Sequence, residues 1–272
     1  MTPGDAGPAA AAVVAGGWGD RGSFFEFVAR AQGCRPFVAE DRGTIVGTGV
    51  ATINGPVGWV GTIFVSPEHR GHGLGMALTQ AVAQALEAAG CRSLVLVATQ
   101  QGRPMYERIG FAVQTAYRTV ESPGLEDEAA TDPRVRSYGT SADLEAMADL
   151  DRRATGEDRR HLLEAFATPD SARCLVRDDG SLGGFVVRAP WGGGATIAPD
   201  PDDAMAILDW RRRVAGPDRR VRAGVLAENV DGLRRLLELG WSEVWSAPRL
   251  IRGDPLAWQP TALWGQFNHA LG

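Results

Sequence analysis

The sequence Ile-Phe-Val-Ser-Pro-Glu-His-Arg-Gly-His-Gly-Leu-Gly-Met-Ala-Leu at residues 63–78 predicts an apolar strand, a glycine-rich turn and the start of a helix. Gly71, Gly73 and Gly75 permit backbone conformations that a side chain would forbid, so several N–H groups can point in one direction. The helix that follows brings the positive end of its dipole to the same place. The stretch therefore predicts a binding site for a pyrophosphate group.

The spacing of the glycines excludes two common pyrophosphate motifs. A P-loop needs a lysine after its second glycine, and this chain has no lysine. A dinucleotide fingerprint needs Gly-x-Gly-x-x-Gly, whereas this turn has Gly-x-Gly-x-Gly. Residues 70–75, Arg-Gly-His-Gly-Leu-Gly, instead resemble the Arg/Gln-x-x-Gly-x-Gly/Ala signature of the GNAT acetyltransferases. That resemblance implies acetyl-CoA as the cosubstrate, and the alternative is a glycine-rich surface turn before an ordinary helix.

A second motif follows at residues 99–111, Thr-Gln-Gln-Gly-Arg-Pro-Met-Tyr-Glu-Arg-Ile-Gly-Phe. It resembles the GNAT pattern Asn-x-x-Ala-x-x-Leu-Tyr-x-x-x-Gly-Phe. The pattern is matched at Met105, Tyr106, Gly110 and Phe111, and it is not matched at Thr99 and Gly102. The two motifs lie on the expected sides of one apolar strand, residues 93–98, so together they predict a GNAT fold.

The composition limits the class of protein. The chain has 272 residues and a net charge of −5, which argues against nucleic-acid binding. Its three cysteines have no metal-binding or redox spacing and imply a reducing compartment. No signal peptide or membrane-length apolar run is seen, so we expect a cytoplasmic protein without a membrane partner. All 28 basic residues are arginine, which suggests a GC-rich bacterial genome.

The elements before the glycine turn follow from local pattern. Residues 2–5 predict the start of an alanine-rich helix that runs to about Ala15, and Ser23 is predicted to cap a helix from Phe24 to Ala31. Three strands, at 36–40, 44–53 and 57–65, form a meander, and a helix covers 75–89. The chain begins too late for a full first GNAT strand, so we expect that strand to be short or missing, because the start codon is misassigned or because the strand is vestigial.

Tyr106 is the predicted catalytic residue, by its match to the GNAT pattern. A phenol with a pKa of about 10 can protonate a leaving thiolate whose pKa is about 8.5. The alternative is a half-buried tyrosine that only packs. Residues 57–65 carry no carboxylate, and we assign no general base.

The resemblance also implies which residues bind acetyl-CoA, through backbone groups of the strand and turn and through the second motif. The predicted cofactor-binding residues are Ile63, Phe64, Val65, Arg70, Gly71, His72, Gly73, Leu74, Gly75, Thr99, Gly102 and Tyr106. No metal site is predicted.

The second half of the chain reads as a degenerate copy of the first. Residues 229–241 repeat residues 99–111 at a constant offset, with Leu236 in the place of Tyr106. The helix after Pro199 begins without a glycine turn, and Asp200, Asp202 and Asp203 would repel a pyrophosphate. We therefore predict a GNAT domain at 1–122, a polar linker at 123–133, and a domain at 134–272 that does not bind CoA in the standard place.

A third motif gives candidates for the acceptor site. Residues 151–163 resemble the Asp-x-x-x-x-Gly-x-Asp-Arg-x-x-Leu-Leu pattern of tandem GNAT proteins. The predicted substrate-binding residues are Phe24, Asp151, Asp158 and Arg159. The alternative is structural, with Gly156 ending one helix and Asp158 capping the next, and with Phe24 in the core.

These observations predict an α/β (α+β) chain of two tandem GNAT-like units, each a mixed, mostly antiparallel sheet flanked by helices. The resemblance implies an N-acetyltransferase that moves an acetyl group from acetyl-CoA directly to a primary amine of a small molecule or peptide. The alternative is a non-catalytic acyl-CoA sensor or interaction module. The acceptor and the oligomeric state stay open, with a homodimer among the alternatives.

Overall fold

The computed structural model describes residues 1–126 and 131–272, and it divides the chain into two units of dense internal contact. The first unit comprises Met1–Ala112, Leu250–Pro255 and His269–Gly272, and the second comprises Val113–Arg249 and Leu256–Asn268. The units are thus interleaved in sequence, whereas the sequence interpretation placed boundaries at 122 and 134. Residues 127–130 of the predicted linker lie outside the described residues.

The first unit is a sheet covered by helices. Its helices are α1 (Ala6–Ala15), α2 (Gly22–Val28), α3 (Leu74–Ala88) and α4 (Arg103–Arg108), with short 3-10 turns at Pro3–Asp5 and Pro67–His69. Its strands are β1 (Cys34–Asp41), β2 (Thr44–Asn54), β3 (Val57–Val65) and β4 (Ser93–Val97). β1, β2 and β3 are antiparallel, and β4 runs parallel to β3. The end of the last long strand, residues 250–253, completes this sheet next to β4.

Local sequence explains most of this sheet. Arg42 and Gly43 both have positive φ, as the two-residue turn of a β-hairpin requires. α3 buries Leu78, Val82 and Leu86 along one face. A Cβ atom at Gly58 would lie 2.7 Å from Leu86 Cδ2, so glycine at this position allows the helix to approach the sheet closely.

One predicted helix boundary was wrong. Ser23 makes no capping hydrogen bond, and α2 begins at Gly22 with Arg21 in the capping position. The cause is Asp20, whose Oδ1 accepts the Gly22 N–H at 2.8 Å and so starts the turn earlier. Phe24 and Phe25 on this helix are buried in the core, as expected for at least two of its aromatic residues.

The second unit repeats the same order of elements. Its helices are α5 (Ser141–Thr155), α6 (Arg160–Phe166), α7 (Pro201–Ala215) and α8 (Val230–Glu238), with a 3-10 turn at Pro260–Ala262. Its strands are β5 (Ala112–Pro123), β6 (Val135–Ser137), β7 (Ala172–Val176), β8 (Leu182–Arg188), β9 (Gly194–Ile197), β10 (Arg220–Leu226), β11 (Ser242–Gly253) and β12 (Leu263–Gly265). Two helices, three strands and then helix, strand, helix and strand occur in both halves, so the predicted internal repeat is present in the fold.

The strands of the second unit lie in two groups. One sheet has the order β12-β9-β8-β7-β6 with antiparallel pairs, and β5 pairs antiparallel with β10. The two halves differ at their start, because β6 precedes α5, whereas no strand of the described residues precedes α1. The predicted fold class, mixed and mostly antiparallel sheets flanked by helices, is confirmed.

Candidate functional site

β3 separates from its parallel neighbour before it ends. The pairing with β4 runs from Val57 with Ser93 to Trp59 with Val95, while the pairing with β2 continues to Val65. Residues 60–65 of β3 therefore run past β4 with one side open. Backbone N–H and C=O groups on that side need partners, and an extended ligand can supply them.

A β-bulge lies in this open part of β3. Three residue steps on β3, from Gly61 to Phe64, lie opposite two steps on β2, and Thr62 has a φ of 51°. The Thr48 hydroxyl holds the bulge by donating to the Thr62 carbonyl at 2.9 Å. A bulge changes the direction of the residues that follow it and is often found beside active sites. Here it sets the direction of residues 63–65, which are among the predicted cofactor-binding residues.

The glycine turn has the geometry expected for an anion site. Gly71 and Gly73 have φ of 83° and 82°, and a Cβ atom at either position would have no neighbour within 4 Å. α3 begins at Leu74, so its first N–H groups have no carbonyl partner within the helix and lie at the positive end of the dipole. The turn is thus open, rich in free backbone donors and positive, which fits a pyrophosphate.

Two side chains of the turn are exposed. Arg70 Nε donates to the Val65 carbonyl at 3.0 Å and so ties the turn to the end of β3. His72 lies between the two left-handed glycines, where its side chain is free to meet an anion. Gly75 differs from the other glycines, because a Cβ atom there would lie 3.7 Å from Met105 Sδ. This proximity shows that the start of α3 lies next to α4.

The residues of the second motif shape the turn that leads to α4. Thr99 Oγ1 accepts the Gly102 N–H at 3.1 Å, so threonine can fulfil a capping role where the family pattern has asparagine. A Cβ atom at Gly102 would lie 3.3 Å from Tyr106 Cε2. Glycine at 102 therefore leaves space for the tyrosine ring.

Tyr106 is a protonated phenol with a free hydroxyl. The residue is 9% exposed, and its ring meets the edge of Phe111 at a centroid distance of 6.2 Å. Within residues 1–126 and 131–272 the hydroxyl has no hydrogen-bond partner on the protein. Burial raises the pKa of Tyr106 to about 12, so the proton stays on the oxygen at neutral pH. The group can donate this proton to a bound partner.

A general base is not evident beside Tyr106. β3 carries no carboxylate, and Glu68 and His72 are exposed in the turn. In the described part of the chain, no group of His, Cys, Asp and Glu residues could hold a metal ion.

The corresponding place in the second unit is filled by ion pairs. Asp203, at the start of α7, lies 2.9 Å from Arg134 Nη1 and 2.7 Å from Arg177 Nη2. Asp200 caps the same helix through the Asp202 N–H. The carboxylates in the first turn of α7 are therefore engaged in ion pairs and in a helix cap, and the absence of CoA binding there stays a prediction.

The acceptor candidates of the third motif lie in the second unit. Asp151 and Arg159 are each about 1% exposed at their side chains, and Arg159 Nη2 donates to Asp151 Oδ1 at 2.6 Å. Gly156 ends α5 with a φ of 73°. Asp158 is exposed and accepts the Arg160 N–H at 3.3 Å. These contacts give the motif a structural role between two helices. Asp151 and Arg159 hydrogen-bond to each other.

The sequence interpretation missed two residues near β3. Arg21 and His269 belong to the first unit, and the positive charge of Arg21 acts on His269. Nothing in the local pattern marks either residue, because they meet only through folding. Among residues 1–126 and 131–272, no helix is both long and apolar enough to cross a membrane.

Comparison with known proteins agrees with this geometry. Residues 14–111 match a model described as the acetyltransferase (GNAT) family, and residues 147–265 match one described as the acetyltransferase (GNAT) domain. An uncharacterized N-acetyltransferase, YitH of Bacillus subtilis, is 27% identical over 221 residues, which cover 78% of this chain and 76% of that protein.

Two solved structures share the fold across almost the whole chain. A putative acetyltransferase from Pyrococcus horikoshii has a TM-score of 0.83 at 22% identity and covers 100% of this chain and 94% of its own. A tandem GNAT protein from the clavulanic acid biosynthesis pathway has a TM-score of 0.62 at 13% identity, over 94% and 98% of the two chains. With a GNAT match in each half, the chain belongs to the GNAT acetyltransferase family and is an acyltransferase of tandem architecture.

Proposed function

We propose that this protein is an acetyl-CoA-dependent N-acetyltransferase that transfers the acetyl group directly to a primary amine. The observation that carries the proposal is a juxtaposition in the first unit. The open part of β3 leads directly into the glycine turn at the start of α3, and α4, with the free hydroxyl of Tyr106, lies beside that turn. The open part of β3 could hold the pantetheine arm, the glycine turn could hold the pyrophosphate, and Tyr106 could supply the proton.

The residues fit the two ends of acetyl-CoA by their chemistry. The free N–H groups around Gly71 and Gly73 suit the pyrophosphate, and a side chain at either position would narrow an open turn. The backbone groups of residues 63–65 that β4 does not pair suit the amides of the pantetheine arm, apart from the Val65 carbonyl, which already accepts Arg70 Nε. His72 and Arg70 add basic side chains at the rim of the same turn, although the Arg70 Nε is already bonded to Val65.

The bound cosubstrate would supply an activated acetyl thioester. Tyr106 would hold its proton at Oη and deliver it to the departing sulfur, since a protonated phenol is the state that burial favours. The bulge at Thr62 would direct the β3 backbone toward the acyl group and fix its orientation. β3 has no carboxylate, so the ammonium group of the acceptor would lose one proton to solvent before attack. As the C–N bond forms and the C–S bond breaks, the nitrogen would release a second proton, which would restore the phenol of Tyr106 after it has protonated the sulfur.

Calorimetric titration of acetyl-CoA into wild type and a Gly73→Glu variant tests the cosubstrate site. The matched control is Gly90→Glu at the other end of α3. Gly90 has a φ of 89°, and Gly73 has one of 82°; both glycines have open space around the Cβ position. The two variants therefore place the same charged side chain at glycines of similar backbone conformation, and they differ in the position of the substitution. We expect binding to be lost in Gly73→Glu and kept in Gly90→Glu.

Three results would overturn the proposal. The first is the absence of saturable acetyl-CoA binding to wild type, and the second is an equal loss of binding in the two variants. The third is acetyl-CoA binding without thiol release in the presence of any member of a broad panel of primary amines. This third result would instead favour an acyl-CoA-binding protein without the proposed reaction.

A further inference from the structure

Arg21 is a cation that the described residues leave without an anionic partner. No carboxylate among residues 1–126 and 131–272 forms an ion pair with it, and its Nε is buried without a hydrogen bond. The carboxylate next to it in sequence, Asp20, accepts the Gly22 N–H instead. Burial lowers the pKa of the Arg21 guanidinium, yet arginine keeps its charge near neutral pH. A partly buried guanidinium whose Nε lacks a hydrogen bond gains from an incoming anion.

Two aromatic rings position Arg21 beside the open part of β3. Its guanidinium carbon lies 5.7 Å from the centre of the Trp18 ring, and that ring meets the Phe64 ring at 5.4 Å with an edge-on angle of 73°. Phe64 belongs to the segment of β3 that β4 does not pair. The loop that begins at Gly16 packs closely on this strand, because a Cβ atom at Gly16 would collide with the Phe64 ring. The Trp18 ring therefore links Arg21 to the segment of β3 where the acyl group would lie.

Residues 269–272, the last residues of the first unit, pack against β2 and β3. Ala270 packs so tightly on Gly61 that a Cβ atom there would collide with it, and the Leu271 carbonyl accepts a hydrogen bond from Asn54 Nδ2 at 2.8 Å. His269 is thereby held near Arg21. Burial and the Arg21 charge lower the pKa of His269 to about 4, so the imidazole is neutral at pH 7 and brings no second positive charge. The guanidinium is left as the cation available to a ligand at this place.

We propose that Arg21 binds a carboxylate of the acceptor, so that the substrate is a small molecule with both a primary amine and a carboxylate, such as an amino acid. A guanidinium pairs with a carboxylate through two parallel hydrogen bonds, which would fix the distance and the direction of the amine. The inference rests on the proposed function, because it places the amine next to an acyl group at β3. Trp18 supports the planar cation from one face.

Matched pairs of acceptors test this inference, each an L-amino acid and its carboxamide, assayed with acetyl-CoA. The carboxamide has the less basic amine and is therefore more often neutral, so a preference for the acid cannot come from amine reactivity. We expect kcat/KM to favour the acid on the order of 100-fold, because the carboxamide leaves the guanidinium unpaired.

The variant Arg21→Gln separates recognition from fold. We expect kcat/KM for the acid to fall on the order of 100-fold, with little change for the carboxamide and for acetyl-CoA affinity. Arg30→Gln is the matched control, since Arg30 follows α2 and is exposed, and among the described residues its side chain hydrogen-bonds only to the Glu26 carbonyl. Thermal unfolding checks that each variant folds, and loss of an unpaired, partly buried cation should not lower stability.

A second readout does not depend on catalysis. A carboxylate on Arg21 would offset the charge that depresses the pKa of His269, so NMR titration should show that pKa rise when the acid binds. Arg21→Gln should abolish the response to the acid.

The outcomes distinguish this inference from the proposed function. Acetylation that does not discriminate acid from carboxamide, or that ignores Arg21→Gln, would overturn the inference alone. A failure to acetylate any amine would overturn the proposed reaction. In that case, calorimetry would still test the carboxylate site. Binding of the amino acids to wild type that is lost in Arg21→Gln would support the site, and the absence of such binding would overturn the inference as well.

Discussion

Replacing Tyr106 with phenylalanine removes one oxygen from the proposed proton donor and leaves its ring in place. The ring is held by α4 and by the edge of Phe111, neither of which needs the hydroxyl. The hydroxyl has no protein partner within the described residues, so its removal leaves no buried polar atom unsatisfied. The change therefore probes proton transfer with little effect on packing.

The two expected magnitudes differ widely. A positioned general acid contributes about 100- to 10,000-fold to a rate, so kcat should fall by that factor, equivalent to roughly 3–5 kcal/mol. The free energy of unfolding should change by less than about 1 kcal/mol, because no intramolecular hydrogen bond is lost. Since the pKa of Tyr106 is about 12, the wild-type hydroxyl stays protonated to well above pH 10 and should impose no loss of activity below that pH.

The assay is release of free CoA thiol in the presence of an accepted amine, with acetyl-CoA affinity measured by calorimetry. Tyr138→Phe serves as the matched control, because Tyr138 lies in the second unit and outside the proposed site. We expect Tyr106→Phe to lose kcat while it keeps acetyl-CoA affinity, and Tyr138→Phe to keep both.

Three results would refute the reasoning. A kcat within threefold of wild type would show that Tyr106 is a packing residue. Loss of acetyl-CoA affinity equal to the loss of kcat would assign the hydroxyl to binding. A large drop in the melting temperature would mean that the hydroxyl has a structural partner.

Two further predictions concern stability. Asp151→Ala removes the carboxylate that lies 2.6 Å from the buried Arg159. Urea unfolding should therefore show that the free energy of unfolding falls by about 3–5 kcal/mol, with partial recovery when Arg159→Met is added. A decrease of less than about 1 kcal/mol would contradict this prediction. Arg136 and backbone N–H groups lower the pKa of Asp143 from 3.8 to about 2. This carboxylate therefore stabilises the fold above pH 4, and the contribution disappears as the pH falls toward 2; Asp143→Asn should remove that pH dependence, and an unchanged acid titration would disprove the assignment.

Several features of the fold could be predicted because short-range physics determines them. The hairpin was predicted from Gly43, which accepts positive φ, between two alternating strands, and α3 follows from apolar residues at helical spacing. The internal repeat was visible because the two halves keep the same packing positions in the same order. The bounds of α2 were misjudged at both ends: the helix was predicted from Phe24 to Ala31 and runs from Gly22 to Val28, and its start is earlier because the Asp20 side chain accepts the Gly22 N–H.

The sequence also located the proposed cosubstrate turn, because glycine spacing and a helix start are local properties. It could not show that β3 leaves β4 after Trp59, because strand pairing depends on residues more than thirty positions apart. The bulge at Thr62 was invisible for the same reason: a threonine with positive φ is imposed by its neighbours and is not favoured by its own preference.

The chain by itself determined the order of the helices and strands and the chemistry of the glycine turn. Tertiary structure alone brought residues 269–272 against Gly61 and placed His269 near the Arg21 charge. It also buried Asp151 with Arg159, whose motif had suggested an acceptor site. The physical reason is distance along the chain: local propensity acts over a few residues, whereas burial and charge pairing are decided by whichever distant segments the fold brings together.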